Sequence, residues 1–420
     1  MKLSQFGQQL TSDSGIVNLM ADLGNALNVN PNLLFLGGGN PAKVDEFELL
    51  VSQLLSEIAQ DPQALHKLVG VYQSPQGAED FIQQLSHYFQ QHCAWQVADK
   101  NIAITNGSQS AFFILINMLA GQAADATQHK HFLFPLMPEY LGYSDQGVAD
   151  DYFVGAKPQI EEIGPDLFKY KIDFDNLHID DKVAAICVSR PTNPTGNMIT
   201  DDELNQLSDL AKQHNIPLII DCAYGEPFPG IVYQSSNYQW QDHHILVLSL
   251  SKLGLPATRT GIVVAHPDLI QRVVKVNTIM SLANGNLGPE LMTRMLAQGK
   301  VKSICKDMLL PFYQRKRDVL MNALRNELQG LPYRIHQPEG AFFLWLWLKD
   351  LPISSADLYQ RLKQQGVLVM DGSPFFFALD DAWQHKQECL RLSYCQSDEV
   401  IESAAKIIGQ EVKALYSKQA

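Results

Sequence analysis

One short segment combines a lysine, two hydroxyl side chains and an arginine at a spacing suited to chemistry on a carbonyl compound that carries an anion. Ser249 and Ser251 lie close to Lys252, and Arg259 follows seven residues after the lysine. A lysine amine can form a Schiff base with a carbonyl group. Hydroxyl groups and the fork of an arginine can bind a phosphate. The apolar run 245–248 predicts a buried strand that leads into the segment.

Pyridoxal 5'-phosphate (PLP) carries both an aldehyde and a phosphate, so it is the expected ligand of this segment. Gly254 and Pro256, between the lysine and the arginine, keep the chain there out of a helix. A serine–lysine pattern this short also occurs in ordinary solvated loops, where the lysine and the arginine only face water. The choice between these two interpretations depends on the rest of the chain.

The composition restricts the class of protein. A chain of 420 residues with 46% apolar residues predicts two or three domains of a soluble globular protein. A net charge of -13 argues against a nucleic-acid surface, and no stretch approaches the ~20 apolar residues of a membrane span. The six cysteines form no C-x-x-C pair, and the first residues contain no signal peptide. We therefore expect a cytoplasmic protein without a metal site.

Strand-like and helix-like segments alternate between residues 100 and 265, which predicts a mainly parallel sheet flanked by helices. In such sheets the ligand lies beyond the carboxyl ends of the strands. Polar or aromatic residues directly follow several predicted strands: Ser108, Tyr140, Asn193, Asp221 and Lys252. Because these strand ends meet at one edge of the sheet, we expect the five side chains to share a site.

Two of these positions have a chemical reason to be there. Asp221 closes the apolar strand 216–220, and a carboxylate in that position requires a cation or several hydrogen-bond donors. Gly107 and Ser108 form a turn between a strand and a helix, an arrangement whose free N–H groups bind anions. An ordinary glycine turn with a serine cap would have the same sequence.

In the C-terminal part, long helix-like segments and short strand-like segments replace the regular alternation. This pattern predicts a separate, smaller α+β domain. Its helices are expected at 287–329 and 354–365 and from Asp398 onward. Its strands are expected within 333–348, at 367–370 and at 390–394. In the first part of the chain, apolar spacing predicts helices over 44–68 and 78–89, and a strand over 131–136.

The motifs together resemble the class I/II aminotransferases of PLP fold type I, over nearly the whole chain. They stand in the order and spacing of that family: Asn106-Gly107-Ser108-Gln109, Asn193-Pro194-Thr195-Gly196, Asp221-x-x-Tyr224, Ser249-x-Ser251-Lys252 with Arg259, and Arg391. The resemblance implies an α/β fold with a large domain, built on a mostly parallel sheet flanked by helices, and a smaller α+β domain. It implies an N-terminal segment 1–55 that joins the small domain, a large PLP-binding domain 56–300 and a C-terminal small domain 301–420.

The resemblance also implies roles for individual residues. Lys252 would bind PLP covalently and move a proton once it is released, and Asp221 would pair with the pyridine nitrogen. The remaining contacts to the ring would come from Asn193 and Tyr224, at its hydroxyl group, and from Tyr140, by stacking.

The phosphate and substrate contacts follow in the same way. The phosphate would be held by Gly107, Ser108, Gln109, Ser249, Ser251 and Arg259, and by Tyr72 from the neighbouring subunit. The substrate would be bound by Arg391 at its carboxylate, by the backbone of Gly39 and by Asn193. The resemblance thus implies a homodimer with shared active sites, in which Lys252, Asp221 and Tyr224 are the catalytic residues.

Four stretches narrow the expected reaction. Residues 36–42, 106–113, 188–196 and 249–256 are similar to family members that act on valine and pyruvate. That similarity implies transfer of the amino group of L-valine to pyruvate. Asp371 departs from the pattern, because related enzymes tend to have proline before the glycine that corresponds to Gly372. The departure concerns the loop on the substrate side.

Three other functions are compatible with the same motifs. A broader aminotransferase would accept alanine, aromatic or 2-aminoadipate substrates, and a PLP β-lyase would eliminate a side chain on the same cofactor. A non-catalytic PLP-binding regulator would carry an additional helix-turn-helix domain. The acidic chain offers no room for such a domain before Gly37.

Overall fold

Helices and two large sheets account for most of the chain. The computed structural model describes residues 1–11, 24–25, 30, 32–125 and 127–418. Its helices are α1 (Gln5–Leu10), α2 (Asp45–Gln60), α3 (Pro62–Gly70), α4 (Glu79–Cys93), α5 (Ser108–Leu119), α6 (Asp201–Gln213), α7 (Pro267–Ser281), α8 (Leu287–Ala297), α9 (Leu310–Glu327), α10 (Ser355–Gln364) and α11 (Asp398–Tyr416). A short helix at Val301–Ser303 and a π-helical segment at Ile304–Leu309 lead directly into α9.

The strands follow the alternation that the sequence predicts. They are β1 (Leu34–Phe35), β2 (Ile102–Thr105), β3 (Gly121–Gln122), β4 (His129–Phe134), β5 (Phe153–Gly155), β6 (Gln159–Ile163), β7 (Leu167–Lys171), β8 (Val183–Ser189), β9 (Leu218–Asp221), β10 (His244–Ser249), β11 (Gly261–Val264), β12 (Tyr333–His336), β13 (Phe343–Leu348), β14 (Val367–Leu368), β15 (Met370–Asp371) and β16 (Cys389–Ser393).

The larger sheet positions the candidate site. Its strand order is β2-β11-β10-β9-β8-β4-β3, and β5 also pairs with β4. The strands β10, β9, β8, β4 and β5 run parallel, whereas β11 is antiparallel to both of its neighbours. Strands such as β8 and β9 are apolar along nearly their whole length, as parallel strands covered on both faces are. The predicted α/β fold with a mostly parallel sheet is confirmed.

The second sheet unites distant parts of the chain. Its order is β15-β16-β13-β12-β7-β6, so the hairpin of β6 and β7 joins strands of the C-terminal part. The sequence did not predict this hairpin. Strand β1 pairs in parallel with β14, which brings the N-terminal segment to the C-terminal part. The domain ranges 1–55, 56–300 and 301–420 stay a prediction, and residues 12–23, 26–29 and 31 of the first range lie outside the described residues.

A buried ion pair joins the hairpin to the segment between β12 and β13, and both of its partners bond to the backbone of the loop after β8. The Nζ atom of Lys169, on β7, lies 2.6 and 2.5 Å from the two carboxylate oxygens of Glu339 and donates to the carbonyl of Met198 at 3.0 Å. Glu339 also accepts from the backbone N–H of Met198 at 2.9 Å. Because both charges are buried, removal of one partner alone would cost ~3–5 kcal/mol.

Two element boundaries differ from the prediction. The expected helix 44–68 is divided into α2 and α3, because Asp61 caps a new helix through the N–H groups of Gln63 and Ala64 and Pro62 occupies its first position. The expected strand 367–370 is divided into β14 and β15, which belong to different sheets. At the start of α6, Thr200 and Glu203 form a capping box, in which each side chain accepts a hydrogen bond from the backbone of the other.

The described residues were also considered as possible membrane spans and metal sites. No helix among them is long and apolar enough to cross a membrane. No group of three or more His, Cys, Asp or Glu side chains in this part of the chain could hold a metal ion. All six cysteines are described, and each is a free thiol.

Candidate active site

A cavity of about 210 Å³ opens where strands β8, β9 and β10 end. Twelve of the predicted site residues line it: Gly39, Ser108, Gln109, Tyr140, Asn193, Asp221, Tyr224, Ser249, Ser251, Lys252, Arg259 and Arg391. The cavity therefore brings together residues that are up to 352 positions apart in the sequence, as the difference between positions 391 and 39 gives.

Lys252 lies in the turn that follows β10, with its amine inside the cavity. The Nζ atom donates to the carbonyl oxygen of Gly39 at 2.6 Å and lies 5.4 and 5.6 Å from the ring centres of Tyr224 and Phe342. Burial lowers the pKa of Lys252 to about 8, and the positive charge of Arg391 acts in the same direction. About a tenth of the amine is therefore neutral, and thus nucleophilic, at pH 7.

Asp221 ends β9 with its carboxylate directed to donors within the protein. The hydroxyl of Tyr143 donates to Oδ2 at 2.6 Å, and the backbone N–H of Ala223 donates to Oδ1 at 2.9 Å. Burial raises the pKa of Asp221 to about 6, and the two hydrogen bonds oppose that rise. The carboxylate is consequently ionised at neutral pH, although it lies inside the protein.

Three elements build a cradle for an anion: the start of α5, the end of β10 and the turn before β11. Gly107 has φ 87°, and a Cβ atom there would lie 2.4 Å from the guanidinium of Arg259. Glycine therefore lets the guanidinium approach the N-terminus of α5. Ser108 begins this helix, and Ser249 and Ser251 hydrogen-bond to each other at 3.0 Å beside it.

Arg259 itself has features of a ligand-binding residue. It adopts a left-handed backbone conformation, with φ 47° and ψ 57°, which is uncommon outside glycine and asparagine. Its guanidinium has no hydrogen-bond acceptor among the described residues. The cradle therefore combines helix N–H groups, hydroxyls and an unpaired cation, which is the donor set that a phosphate requires.

Arg391, on β16, also lines the cavity, beside Asn193. Nη1 donates to Oδ1 of Asn193 and Nη2 donates to the carbonyl of Gly37, both at 2.8 Å. Its guanidinium lies 4.2 and 5.2 Å from the ring centres of Phe343 and Phe375. Burial lowers the pKa of Arg391 to about 10, so the group keeps its charge at neutral pH.

The guanidinium of Arg391 still has donors to offer. Two of its five N–H groups are used by Asn193 and Gly37, and the buried Nε has no partner among the described residues. A buried cation with unused donors is suited to binding a carboxylate.

Two of the predicted site residues do not line the cavity. Gly107 lies behind it, against Arg259. Tyr72 is 82% exposed and lies at the surface. Gly39 lines the cavity, but within this chain its carbonyl accepts a hydrogen bond from Lys252.

Several residues around the cavity were not assigned from the sequence. Tyr143 and Ser189 contact Asp221 directly or through each other, and Met370 and Phe375 form an apolar wall. The sequence contained a signal for Tyr143, because it is a second tyrosine three residues after Tyr140. The two tyrosines lie within one turn of 3₁₀ helix. No local pattern indicated Met370 or Phe375.

Asp371 organises the loop that carries this apolar wall. Its Oδ1 accepts from the hydroxyl of Ser355 at 2.5 Å and from the N–H of Ser373 at 3.1 Å. Its Oδ2 accepts from the hydroxyl of Ser373 at 2.6 Å. The aspartate thus restrains the turn between Met370 and Phe375 by hydrogen bonds.

A family model and a full-length relative both identify the same protein family. Residues 36–408 match the family Aminotransferase class I and II. Over 418 residues, which cover 100% of both chains, the protein is 44% identical to valine–pyruvate aminotransferase of Escherichia coli K12.

Two solved structures are similar to this one. A valine–pyruvate aminotransferase from Salmonella typhimurium LT2 is 43% identical, with a TM-score of 0.88 over 96% of this chain and 100% of that chain. A putative amino-acid aminotransferase from Psychrobacter arcticum 273-4 is 41% identical, with a TM-score of 0.96 over 99% of both chains. The chain, whose cavity brings together the lysine, aspartate and arginine described above, therefore belongs to the class I and II aminotransferases.

Proposed function

We propose that this protein transfers the amino group of L-valine to pyruvate, which gives 3-methyl-2-oxobutanoate and L-alanine, with PLP as its cofactor. The observation that carries the proposal is that Lys252, Asp221 and Arg391 face one cavity whose far end is an anion cradle. The full-length similarity to a valine–pyruvate aminotransferase supports the choice of substrates.

The cavity residues fit PLP on both of its polar ends. When bound, PLP supplies a carbonyl that takes up an amino group and a ring that withdraws electrons. Ser108, Gln109, Ser249, Ser251 and Arg259 would hold its phosphate, and Gly107 would leave room for Arg259. The ionised Asp221 would keep the proton on the ring nitrogen, since opposite charges at hydrogen-bond distance stabilise each other.

The other contacts divide between the ring and the reacting carbon. Asn193 and Tyr224 would hydrogen-bond to the ring hydroxyl, and Tyr140 would cover the face of the ring. The amine of Lys252, with its pKa lowered to about 8, would move a proton at the substrate Cα atom. Its contact with the Gly39 carbonyl would hold the amine close to its working position in the free protein.

The opposite end of the cavity fits a small apolar amino acid. Arg391 would bind the α-carboxylate, and Asn193 orients its guanidinium. Met370 and Phe375 would face the side chain of the substrate, which favours an aliphatic donor. Because one methylene changes binding by only ~1–3 kcal/mol, discrimination between similar donors depends on how firmly this wall is held.

A homodimer with shared active sites is part of the proposal. Exposed apolar side chains occur beside Tyr72, at Val69 (75%) and Val71 (47%), and on the segment that includes Ile279 (86%) and Leu282 (59%). A patch of this kind is typical of an interaction surface.

The two exposed stretches are neighbours and lie close to the anion cradle. The side chain of Asn286 donates to the carbonyl of Lys67 at 3.4 Å, and the N–H of Gly285 donates to Asn106 at 3.2 Å. A partner subunit that covered this surface would come near Gly107 and Ser108. Tyr72 of one subunit would then reach the phosphate bound by the other. A cytoplasmic location is also proposed, supported by the six free thiols.

A panel of amino donors tests the function. Purified protein with PLP is incubated with pyruvate and each amino acid in turn, and alanine is measured. We expect valine to give the highest rate. Equal rates with aromatic and 2-aminoadipate donors would indicate a broader aminotransferase. Alanine as donor requires a different 2-oxo acid, because its exchange with pyruvate regenerates the same two compounds. Breakdown of a donor when no 2-oxo acid is added as acceptor, with release of ammonia, would indicate a β-lyase, and PLP binding without turnover would indicate a regulator.

A further inference from the structure

A buried chain of four side chains connects Asp221 to a second carboxyl group. The hydroxyl of Tyr143 lies 2.6 Å from Oδ2 of Asp221 and 3.2 Å from Oγ of Ser189, and Oγ of Ser189 lies 2.6 Å from Oε2 of Glu139. The four side chains are between 0% and 8% exposed. Glu139 follows β4 and Asp221 ends β9, so the chain crosses the sheet edge beneath the proposed ring site.

The number of hydrogens shared among these four hydrogen-bonded side chains depends on the charge of Glu139. Three oxygen–oxygen contacts join the four groups, and the two hydroxyls of Tyr143 and Ser189 supply two hydrogens. If both carboxyls are ionised, Tyr143 donates to Asp221 and Ser189 donates to Glu139, and the contact between the hydroxyls has no hydrogen. A proton on Oε2 of Glu139 gives each contact one hydrogen, all directed towards Asp221.

The surroundings of Glu139 favour its neutral form. Its side chain is 2% exposed, and no cation of the described part of the chain is paired with it. Glu339 is about as buried, at 5%, but it is paired with Lys169. Burial raises the pKa of Glu139 to about 8, hydrogen bonds from Ser189 and Tyr140 oppose the rise, and the negative charge of Asp221 adds to it.

We propose that Glu139 is a positioning residue that stays a neutral carboxylic acid and directs the hydrogen bonds of Ser189 and Tyr143 towards Asp221. The inference rests on the proposed PLP site. With the chain directed in this way, Tyr143 always donates to Asp221, and Asp221 remains the ionised acceptor that the ring nitrogen needs. If Tyr143 turned its hydrogen to Ser189 instead, Asp221 would lose one of its two donors and would take up a proton more readily.

Infrared spectroscopy of the PLP-loaded protein tests the charge state. A neutral carboxylic acid has a carbonyl band that is separate from carboxylate bands. We expect this band in the wild type at pH 7, its loss in Glu139→Gln, and its decay in the wild type as the pH rises through about 8. The control is Glu388→Gln, since Glu388 is also buried but accepts from Trp347 and Asp350, away from Asp221. Absence of the band in the wild type, or its persistence in Glu139→Gln, overturns the proposal.

Cofactor binding tests the link to Asp221. In Glu139→Gln the amide can still donate to Ser189 Oγ and accept from the N–H of Ser189, so the directed chain is retained, and only the N–H of Tyr140 loses its acceptor Oε2. In Glu139→Leu it is lost. We expect the dissociation constant of PLP to rise by at most about threefold in the glutamine variant and by about tenfold in the leucine variant, as the loss of a hydrogen bond to a charged group does. Equal weakening in both variants would contradict a neutral donor at this position.

The experiments distinguish a failure of this inference from misfolding of a variant and from a failure of the proposed function. Thermal melting shows whether the leucine variant folds, and the isosteric glutamine variant remains informative if it does not. If the wild type failed to bind PLP, the proposed function would fail, while the same infrared measurement on the protein without PLP would still decide the charge of Glu139.

Discussion

The two ends of the cavity are built in different ways. At the cofactor end, every residue lies at or shortly after the end of a strand of one sheet: Asp221 ends β9, and Ser108, Tyr140, Asn193 and Lys252 follow other strands. At the substrate end, residues 37–39, residues 370–375 and Arg391 come from opposite parts of the chain. The pairing of β1 with β14, and of β16 with β13 and β15, brings them together.

The difference suggests that the two ends can be disturbed separately. The cofactor end depends on the register of parallel strands deep in the core, so changes there should affect PLP itself. The substrate end depends on contacts between distant segments, so changes there should alter the choice or rate of substrates while PLP remains bound.

The largest expected effect is at the cofactor end. Lys252→Ala should remove the visible absorption of covalently bound PLP and lower turnover by at least about a thousandfold. The variant lacks the single amine that both attaches PLP and moves the proton. Absorption spectra and the alanine assay measure the two effects. Lys157→Ala, which removes an exposed lysine paired with Asp381, is the control and should behave as the wild type. An unchanged spectrum in Lys252→Ala would contradict the assignment.

The next effect belongs to the substrate end. Arg391→Lys should lower kcat/KM by about a hundredfold for every amino donor, since all share the α-carboxylate and lysine lacks the fork that binds it in two places. The visible absorption of bound PLP should persist. A loss confined to valine would instead mean that Arg391 contacts the side chain of the substrate.

The pH dependence of PLP attachment relates the two ends. With its pKa lowered to about 8, Lys252 is protonated below that pH and free to react above it. The rate at which PLP joins the apo-protein should therefore rise by about tenfold per pH unit up to pH 8 and then level off. Because the charge of Arg391 lowers this pKa, Arg391→Gln should move the midpoint to higher pH. Stopped-flow absorbance measures it, and a midpoint that does not move would show that the two ends are electrostatically independent.

The proposed dimer adds a third contribution, from another subunit. Lys252→Ala and Tyr72→Ala homodimers are mixed under conditions in which subunits exchange. About half of the dimers should then be mixed, each with one site that has an intact Lys252 and an intact Tyr72 of the partner subunit. About a quarter of the wild-type activity should return, from two-fold symmetry alone. If exchange occurs and activity stays at the average of the two variants, Tyr72 does not act across subunits.

The smallest expected effect concerns the loop between Met370 and Phe375. Asp371→Ala removes three hydrogen bonds that restrain this loop, so kcat/KM for valine should fall by about threefold relative to smaller donors, with PLP absorption unchanged. Asp381→Ala, which removes an exposed aspartate of the following loop, is the matched control. Equal changes for all donors would place the effect on the shared part of the substrate.

Much of the cofactor end could be predicted from the sequence, because the signals are local. An apolar run such as 183–189 specifies a buried parallel strand, and the polar residue that follows it must lie at the edge where such strands end. Asp221 is the clearest case, since a carboxylate at the end of an apolar strand requires partners wherever the sheet places it. The capping box of Thr200 and Glu203 is local in the same sense.

Tertiary structure alone decided the rest. The hairpin 159–171 has no local pattern that assigns it to the sheet of the C-terminal part, because that assignment depends on pairing with β12, 168 residues later. The same holds for Met370 and Phe375 and for the chain from Asp221 through Tyr143 and Ser189 to Glu139. Local sequence determines which residues end a strand, but the distance between two side chains is set by the packing of whole elements, which depends on contacts across the entire chain.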